Sequence, residues 1–125
     1  MVPEGCVFYL KSFENNPHYH IIIFTDPLGR DNRCIACYIT STETLPDLTT
    51  TFEADDDFFI TKKSWVKYRN ARILHEMDLQ KFETLGEIKT TNLHKIQDGF
   101  EQSLKKVPRE VKELWEQWKQ DSLFS

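Results

Sequence analysis

Two histidines, His18 and His20, stand two residues apart at the start of an apolar run formed by residues 21–24. In an extended strand, residues two apart lie on the same face of a sheet, so both imidazoles are predicted to share a face. Because the pKa of imidazole lies near neutrality, such a pair can transfer protons or bind a metal ion. The alternative interpretation is a hydrogen-bonded surface pair at the entrance of the strand.

A basic segment follows in the middle of the chain, where residues 61–75 contain no acidic side chain. Its cations are Lys62, Lys63, Lys67, Arg69 and Arg72, and they are interleaved with Trp65 and Tyr68. Cations that hold phosphates beside rings that stack on bases are typical of proteins that bind single-stranded nucleic acid. The alternative is a solvated surface whose rings belong to the core and whose charges pair with the acidic run at residues 53–57.

Other groups that could carry chemistry give weaker signals. Cys34 and Cys37 have the CxxC spacing, but in a strand positions three apart point to opposite faces, so we interpret them as packing cysteines. His75 and His94 add no metal-ligand spacing. The acidic run is predicted to be a solvated loop, and a metal-dependent hydrolase that uses this run with His18 and His20 is a weaker alternative. The four glycines are scattered, so no phosphate-binding glycine loop is present.

The composition is that of an ordinary globular protein. With 125 residues, 39% apolar and 13% aromatic, the chain is predicted to form a single domain over residues 1–125. The net charge of −4 argues against a protein whose whole surface binds nucleic acid. No apolar run approaches the roughly 20 residues needed to span a bilayer, and the start lacks the features of a secretion signal. The chain has three cysteines, which is an odd number, so we expect no disulfide scaffold and a location in the cytoplasm.

The pattern of apolar residues predicts the elements that must position these groups. Strands are expected at residues 6–10, 19–25 and 33–41, with the second and third at the centre of one sheet. Residues 58–74 are predicted to be extended, with a helical turn within 65–74 as the alternative. Two amphipathic helices are expected at about 92–106, with Asn92 as N-cap, and at about 108–120. Their stripes are predicted to cover the sheet, although Trp115 and Trp118 could instead anchor an oligomer interface.

The order of several short motifs resembles the PemK/MazF-like toxins. The motifs are Gly5-Cys6-Val7-Phe8, His18-Tyr19-His20-Ile21-Ile22-Ile23-Phe24-Thr25-Asp26-Pro27, Cys37-Tyr38-Ile39-Thr40-Ser41, Ser64-Trp65-Val66-Lys67-Tyr68-Arg69-Asn70-Ala71-Arg72-Ile73, and Leu85-Gly86-Glu87-Ile88 at the entrance of the C-terminal helix. The resemblance covers about residues 5–105. The Thr of the family's strand-end motif matches Thr40, whereas His18-Tyr19-His20 stands where the family has Arg-Pro.

The resemblance implies a mainly-β (α+β) fold, a small SH3-like β-barrel with strands over about 5–75 and helices over about 92–120. It also implies a metal-independent endoribonuclease that cleaves single-stranded RNA through the RNA's own 2′-hydroxyl, needs no cofactor, forms a homodimer and is restrained by an antitoxin protein. The alternative is a non-catalytic barrel of the same ancestry that binds protein or nucleic acid.

The resulting site hypothesis has a catalytic group and an RNA-binding group. In the catalytic group the histidines are the acid or base, Thr40 donates a hydrogen bond to the phosphate, and an arginine is the cation that stabilises the transition state. Its members are His18, His20, Thr40 and Arg72. The RNA-binding group is Arg33, Ser41, Lys62, Ser64, Trp65, Lys67, Tyr68 and Arg69, in which Ser64 and Tyr68 are expected to share a face of an extended segment.

Overall fold

The structure, a computed structural model, describes residues 2–10, 18–41 and 46–124, with the side chain of Leu10 left out. The strands in these ranges are β1 (Cys6–Leu10), β2 (His18–Thr25), β3 (Arg33–Thr40), β4 (Thr51–Phe52), β5 (Ser64–Val66), β6 (Arg72–His75) and β7 (Thr84–Glu87). The helices are α1 (Glu76–Leu79), α2 (Thr90–Gln102) and α3 (Arg109–Leu123), with one turn of 3-10 helix at Tyr68–Asn70.

One antiparallel sheet contains all of these strands, in the order β4-β5-β3-β2-β1-β7. β3 is its centre: β2 pairs along one side, while β6 and β5 share the other. The predicted central pair of strands and the α+β class are therefore confirmed. The predicted barrel is wrong as a closed structure, because the end strands β4 and β7 do not pair and β4 has only two residues with which to form a ladder.

The two long helices cover one face of the sheet. β3 turns Ile35, Cys37 and Ile39 toward them, as the alternation of a strand requires. The helical residues buried in this core are Leu93, Ile96, Phe100, Val111, Leu114, Trp115 and Trp118. The prediction that the apolar stripes of the two helices cover the sheet is thus confirmed. Trp115 and Trp118 are buried in this core, so little of their ring surface is left for a partner.

Cys34 and Cys37 lie on opposite faces, as their spacing predicts. Cys37 belongs to the helix-covered core, whereas Cys34 packs in a smaller cluster on the other face with Phe8 and Leu79. Burial raises the pKa of the Cys34 thiol to about 12 and also raises the pKa of Cys37. Both thiols are therefore protonated at neutral pH, which agrees with a packing role.

The acidic run forms a turn that anchors the start of α2. The Asp57 carboxylate is buried and accepts hydrogen bonds from the backbone N–H of Lys89 and from the side chain of Asn92, both at 2.9 Å. α2 begins at Thr90, so Asn92 lies within its first turn and the predicted N-cap role is wrong. Residues 85–88, predicted to lead into the helix, lie mostly in β7 instead.

Residues 58–74 combine both structures that the sequence leaves open. β5 and β6 are extended, and the turn of 3-10 helix at Tyr68–Asn70 separates them. This turn places Tyr68 against α2, where its hydroxyl donates to the Ile96 carbonyl oxygen at 2.8 Å and lies 2.7 Å from Thr50 Oγ1. The turn is therefore held against the helix by buried hydrogen bonds.

None of the helices in the described ranges is long and apolar enough to cross a membrane.

We expect Gly99→Ala to destabilise the fold by about 1–3 kcal/mol, because an added Cβ would collide with Thr50 Oγ1 and Tyr68 Oη. This loss should outweigh the better helix propensity of alanine. Urea unfolding measures the free energy of unfolding, and His94→Ala, an exposed change on the same helix, is the control that should stay within about 0.5 kcal/mol of the parent. Equal stability of the two variants would contradict the close approach of α2 to Tyr68.

Candidate functional site

The second face of the sheet is apolar at one end and polar at the other. α1 covers the apolar end through Leu79. Toward the polar end, β2 and β3 place His20 opposite Tyr38. The His18 ring stacks on the Tyr38 ring with a centroid distance of 4.4 Å, and the His20 ring is tilted 5.4 Å from it. Both imidazoles therefore contact the same tyrosine, on the shared face that their spacing predicts.

His20 is buried and neutral. Its Nδ1 lies 3.0 Å from the carbonyl oxygen of His18, so Nδ1 carries the hydrogen and donates it, which leaves the lone pair on Nε2. Among the described residues Nε2 has no hydrogen-bond partner. The pKa of His20 is lowered to about 4, mainly by burial, with the positive charge of Arg72 acting in the same direction and the hydrogen bond to the carbonyl oxygen opposing both.

Two side chains from the following turn and strand complete this cluster. Asn70 donates its amide to the Tyr38 hydroxyl at 3.0 Å. Arg72 lies opposite Ala36 in the β3–β6 ladder, two residues along the same face from Tyr38, and its charge acts on His20. We call His18, His20, Tyr38, Asn70 and Arg72 the imidazole cluster. A bound anion there would stabilise a protonated imidazole and raise its pKa.

Thr40 connects this cluster to a cavity at the end of β3. It follows Tyr38 by two residues and so belongs to the same face. It also lines a cavity of about 110 Å³ together with Ser41, Lys62 and Ser64. The structure therefore places the four predicted catalytic residues on one face of the sheet, with Arg72 opposite Ala36 in the middle of β3, and three of the predicted RNA-binding residues line the cavity with Thr40.

Arg33 does not join this site. It starts β3, five residues before Tyr38, so at about 3.4 Å per residue the two lie about 17 Å apart and on opposite faces. Its guanidinium binds Asp31, with Nη2 2.7 Å and Nε 2.9 Å from the carboxylate oxygens, and Trp118 Nε1 donates to the same carboxylate. These contacts lower the pKa of Asp31 to about 2. Arg33 therefore connects β3 to α3 and lies outside the candidate site.

Tyr68 does not join this site either. It is fully buried, both of its hydroxyl contacts are internal, and burial raises its pKa. The 3-10 turn removes it from the strand surface, so Ser64 and Tyr68 do not share a face. Ser64 lies at the cavity but donates its hydroxyl to the Lys62 carbonyl oxygen at 2.8 Å.

The rest of the basic segment stays near the surface. Trp65 is half-buried opposite Thr40, Lys67 is half-buried, and Arg69 is exposed. Within the part of the chain that the structure describes, no ion pair joins the basic segment to residues 53–57, and Lys62, Lys63 and Arg69 pair with no carboxylate. The predicted neutralisation by the acidic run is therefore not observed there.

The ligand set of the metal-dependent alternative does not assemble in the described ranges. No three or more His, Cys, Asp or Glu side chains in those ranges are close enough to hold one ion. Asp57, the buried carboxylate of the acidic run, is directed at the start of α2.

The site also contains two residues that the sequence does not single out, Tyr38 and Asn70. Tyr38 contacts both imidazoles and Asn70 holds its hydroxyl. Tyr38 lies in an apolar run, and this pattern predicts a core residue. Only the strand register shows that it lies opposite His20. The spacing of two between Tyr38 and Thr40 is the one signal that could have indicated it.

Comparisons with known proteins identify the fold but no family. No protein-family model matches the chain, and no curated protein matches it. Among solved structures, an endoribonuclease in complex with its cognate antitoxin from a mycobacterial species matches with a TM-score of 0.62. The match covers 84% of this chain and 96% of that chain at 17% sequence identity. The two chains therefore share a fold.

We expect the stability of the protein to fall as the pH drops from about 6.5 to about 4. The unfolded chain binds a proton at His20 near pH 6.5, whereas the folded chain does not until about pH 4, so the stabilisation is complete above this window and is lost through it. A shift of this size corresponds to about 3 kcal/mol. Urea unfolding between pH 4 and pH 7 measures it.

The variants His20→Gln and His94→Ala separate this contribution from general acid destabilisation. His20→Gln should lose about 3 kcal/mol less than the parent over the same range, while His94→Ala, which removes an exposed imidazole, should lose as much as the parent. Identical pH dependence of the parent and His20→Gln would show that His20 is not held neutral by burial.

Proposed function

We propose that this protein is an endoribonuclease of the toxin–antitoxin type, PemK/MazF-like, that cleaves single-stranded RNA without a metal ion. The observation that carries the proposal is that His18, His20, Thr40 and Arg72 lie on one face of the sheet, with the charge of Arg72 acting on His20. Transfer of a phosphoryl group to a 2′-hydroxyl requires a base, an acid and groups that stabilise negative charge. Two imidazoles, a hydroxyl and a guanidinium can supply them. The shared fold with an antitoxin-bound endoribonuclease supports the same reading.

In the proposed reaction the 2′-oxygen of one nucleotide attacks the adjacent phosphorus atom and the bond to the 5′-oxygen of the next nucleotide breaks. The 2′-hydroxyl loses its proton to one group, and the leaving 5′-oxygen gains one from another. The products are a 2′,3′-cyclic phosphate and a 5′-hydroxyl. The atoms balance without water or a cofactor.

The two imidazoles differ in a way that suits this exchange. His20 is neutral with its lone pair on Nε2, so it can accept the proton once a bound phosphate offsets the cost of a buried positive charge. His18 is half-buried and stacks on Tyr38, which fixes its ring plane, and we assign it to the leaving oxygen.

The remaining groups stabilise the negative charge that develops on the phosphate. Arg72 supplies the cation, because it lies near enough for its charge to lower the pKa of His20. Thr40 and Ser41 at the end of β3 supply hydroxyl donors. Arg69 and Lys67 extend the positive charge along the same segment for binding of the RNA backbone.

We also propose that an antitoxin protein restrains the enzyme, since the matching endoribonuclease was solved with its cognate antitoxin. A homodimer and a cytoplasmic location are part of the same proposal and follow from the resemblance to the toxin family.

A second candidate is a binding module that has lost cleavage. The buried Nε2 of His20 and its pKa of about 4 favour this alternative, because an imidazole with so low a pKa is a weak base and its acceptor nitrogen is covered unless the substrate changes its environment.

Incubation of the purified protein with single-stranded RNA in the presence of EDTA distinguishes these functions. We expect cleavage with 2′,3′-cyclic phosphate and 5′-hydroxyl ends, because the nucleophile belongs to the RNA. The products are identified by mass spectrometry, and the same sequence carrying 2′-deoxyribose is the control that should stay intact. Absence of cleavage across a mixed-sequence RNA pool would support the binding module.

We expect His18→Ala and Arg72→Ala to lower the cleavage rate by about 10²–10⁴-fold, the usual loss for a proton-transfer group or a charge-stabilising donor. The matched controls are His94→Ala and Arg109→Ala, which remove the same side-chain types from exposed helix positions. Single-turnover kinetics at saturating enzyme separate the chemical step from RNA binding. Rates equal to those of the controls would refute the assignment of His18 and Arg72.

A further inference from the structure

An aromatic floor lies under the cavity at the end of β3. Tyr19 on β2 stands opposite Ile39 on β3, and the Tyr19 ring packs on Phe59 with a centroid distance of 5.4 Å. All three residues line the cavity of about 110 Å³. Tyr19 is half-buried, whereas Phe59 is 6% exposed, so Tyr19 offers the accessible ring and Phe59 supports it.

The rim of this cavity is polar and positively charged. Thr61 and the exposed Lys62 approach from one side, while Thr40 and Ser41 belong to the end of β3. Hydroxyls can both donate and accept hydrogen bonds, so they match the mixed donors and acceptors on the edge of a base. An aromatic floor with a hydroxyl and cationic rim is suited to a planar, polar ring attached to a phosphate.

The position of the cavity connects it to the imidazole cluster. Thr40 belongs to the face of that cluster and also lines the cavity. Tyr19 follows His18 directly along β2, so its ring lies on the opposite, helix-covered face together with Ile39 and Phe59. An RNA strand that passes over the end of β3, where Thr40 and Ser41 lie, would therefore have a phosphate on the face of the imidazole cluster and a base at the cavity.

We propose that this cavity is a subsite for one unpaired nucleobase of the RNA substrate, which stacks on Tyr19 where the RNA passes over the end of β3. The inference rests on the proposed function. It also adds Tyr19 to the rings that can stack on a base, in place of the buried Tyr68. Paired bases are excluded, because a base in a duplex has both faces covered by its neighbours.

Binding of a fluorescein-labelled 2′-O-methyl RNA of 12 nucleotides tests the subsite apart from cleavage, since this RNA has no free 2′-hydroxyl to attack. We expect Tyr19→Leu to weaken binding about ten- to hundredfold, the effect of one lost base stack. Tyr9→Leu is the matched control, because Tyr9 contacts the Tyr19 ring at 4.9 Å but does not line the cavity. Circular dichroism checks that both variants are folded.

A series of oligonucleotides with a single abasic nucleotide locates the contact. With the parent protein, one abasic position should weaken binding by the same factor as Tyr19→Leu, and with Tyr19→Leu that position should have no further effect. Lys62→Ala should lower the slope of log affinity against log salt by about 0.7, the value for one phosphate contact, whereas the exposed Lys105→Ala should leave the slope unchanged.

The outcomes separate the subsite from the proposed function. If the protein cleaves RNA but Tyr19→Leu and Tyr9→Leu bind every oligonucleotide as the parent does, the subsite is refuted and the ribonuclease stands. If binding depends on Tyr19 but no RNA is cleaved, the subsite stands in a binding module. If neither RNA nor the 2′-O-methyl oligonucleotide binds, both proposals are overturned.

Discussion

The alternation of side chains along β3 is the constraint on which the rest of the structure depends. Both faces of this central strand are buried, so each residue must suit the face to which its position assigns it. Ile35, Cys37 and Ile39 supply the face that the long helices cover, whereas Cys34 and Ala36 supply the other. A shift of register by one residue would turn Tyr38 and Thr40 into the core between the sheet and the long helices, and the candidate site would be lost.

The helical layer positions the site indirectly, through Tyr68. This residue is held under α2 by its bonds to Thr50 and Ile96, and the absence of a side chain at Gly99 lets the helix approach it. Because Tyr68 starts the 3-10 turn, the same contact determines where Asn70 and Arg72 lie relative to β3. A polar site on one face is thus fixed by a buried hydrogen-bond network on the other.

The cost of this arrangement falls on His20, whose imidazole is desolvated and carries a nitrogen without a partner among the described residues. A buried, unsatisfied polar atom is unfavourable for folding and is often found where a ligand completes the bonding. Its neighbours are organised around it: His18 accepts its hydrogen bond through the carbonyl oxygen and Arg72 opposes its protonation. The cluster is therefore arranged so that an anion would change the protonation of an imidazole.

Periodicity, a property of neighbouring residues, predicted the local structure correctly: the three N-terminal strands, the two long helices and the opposite faces of Cys34 and Cys37. The sequence also indicated His18, His20, Thr40 and Arg72 as a group, through residue types and the order of motifs. The tertiary structure was needed to show that Tyr68 is core, that Arg33 binds Asp31, that the sheet stays open and that Tyr38 contacts both imidazoles while Asn70 holds its hydroxyl. Apart from the local contact between Arg33 and Asp31, these features depend on strand register and on the docking of α2, which join His20 to Tyr38, Tyr68 to Ile96 and Tyr38 to Asn70, and no local pattern encodes such contacts.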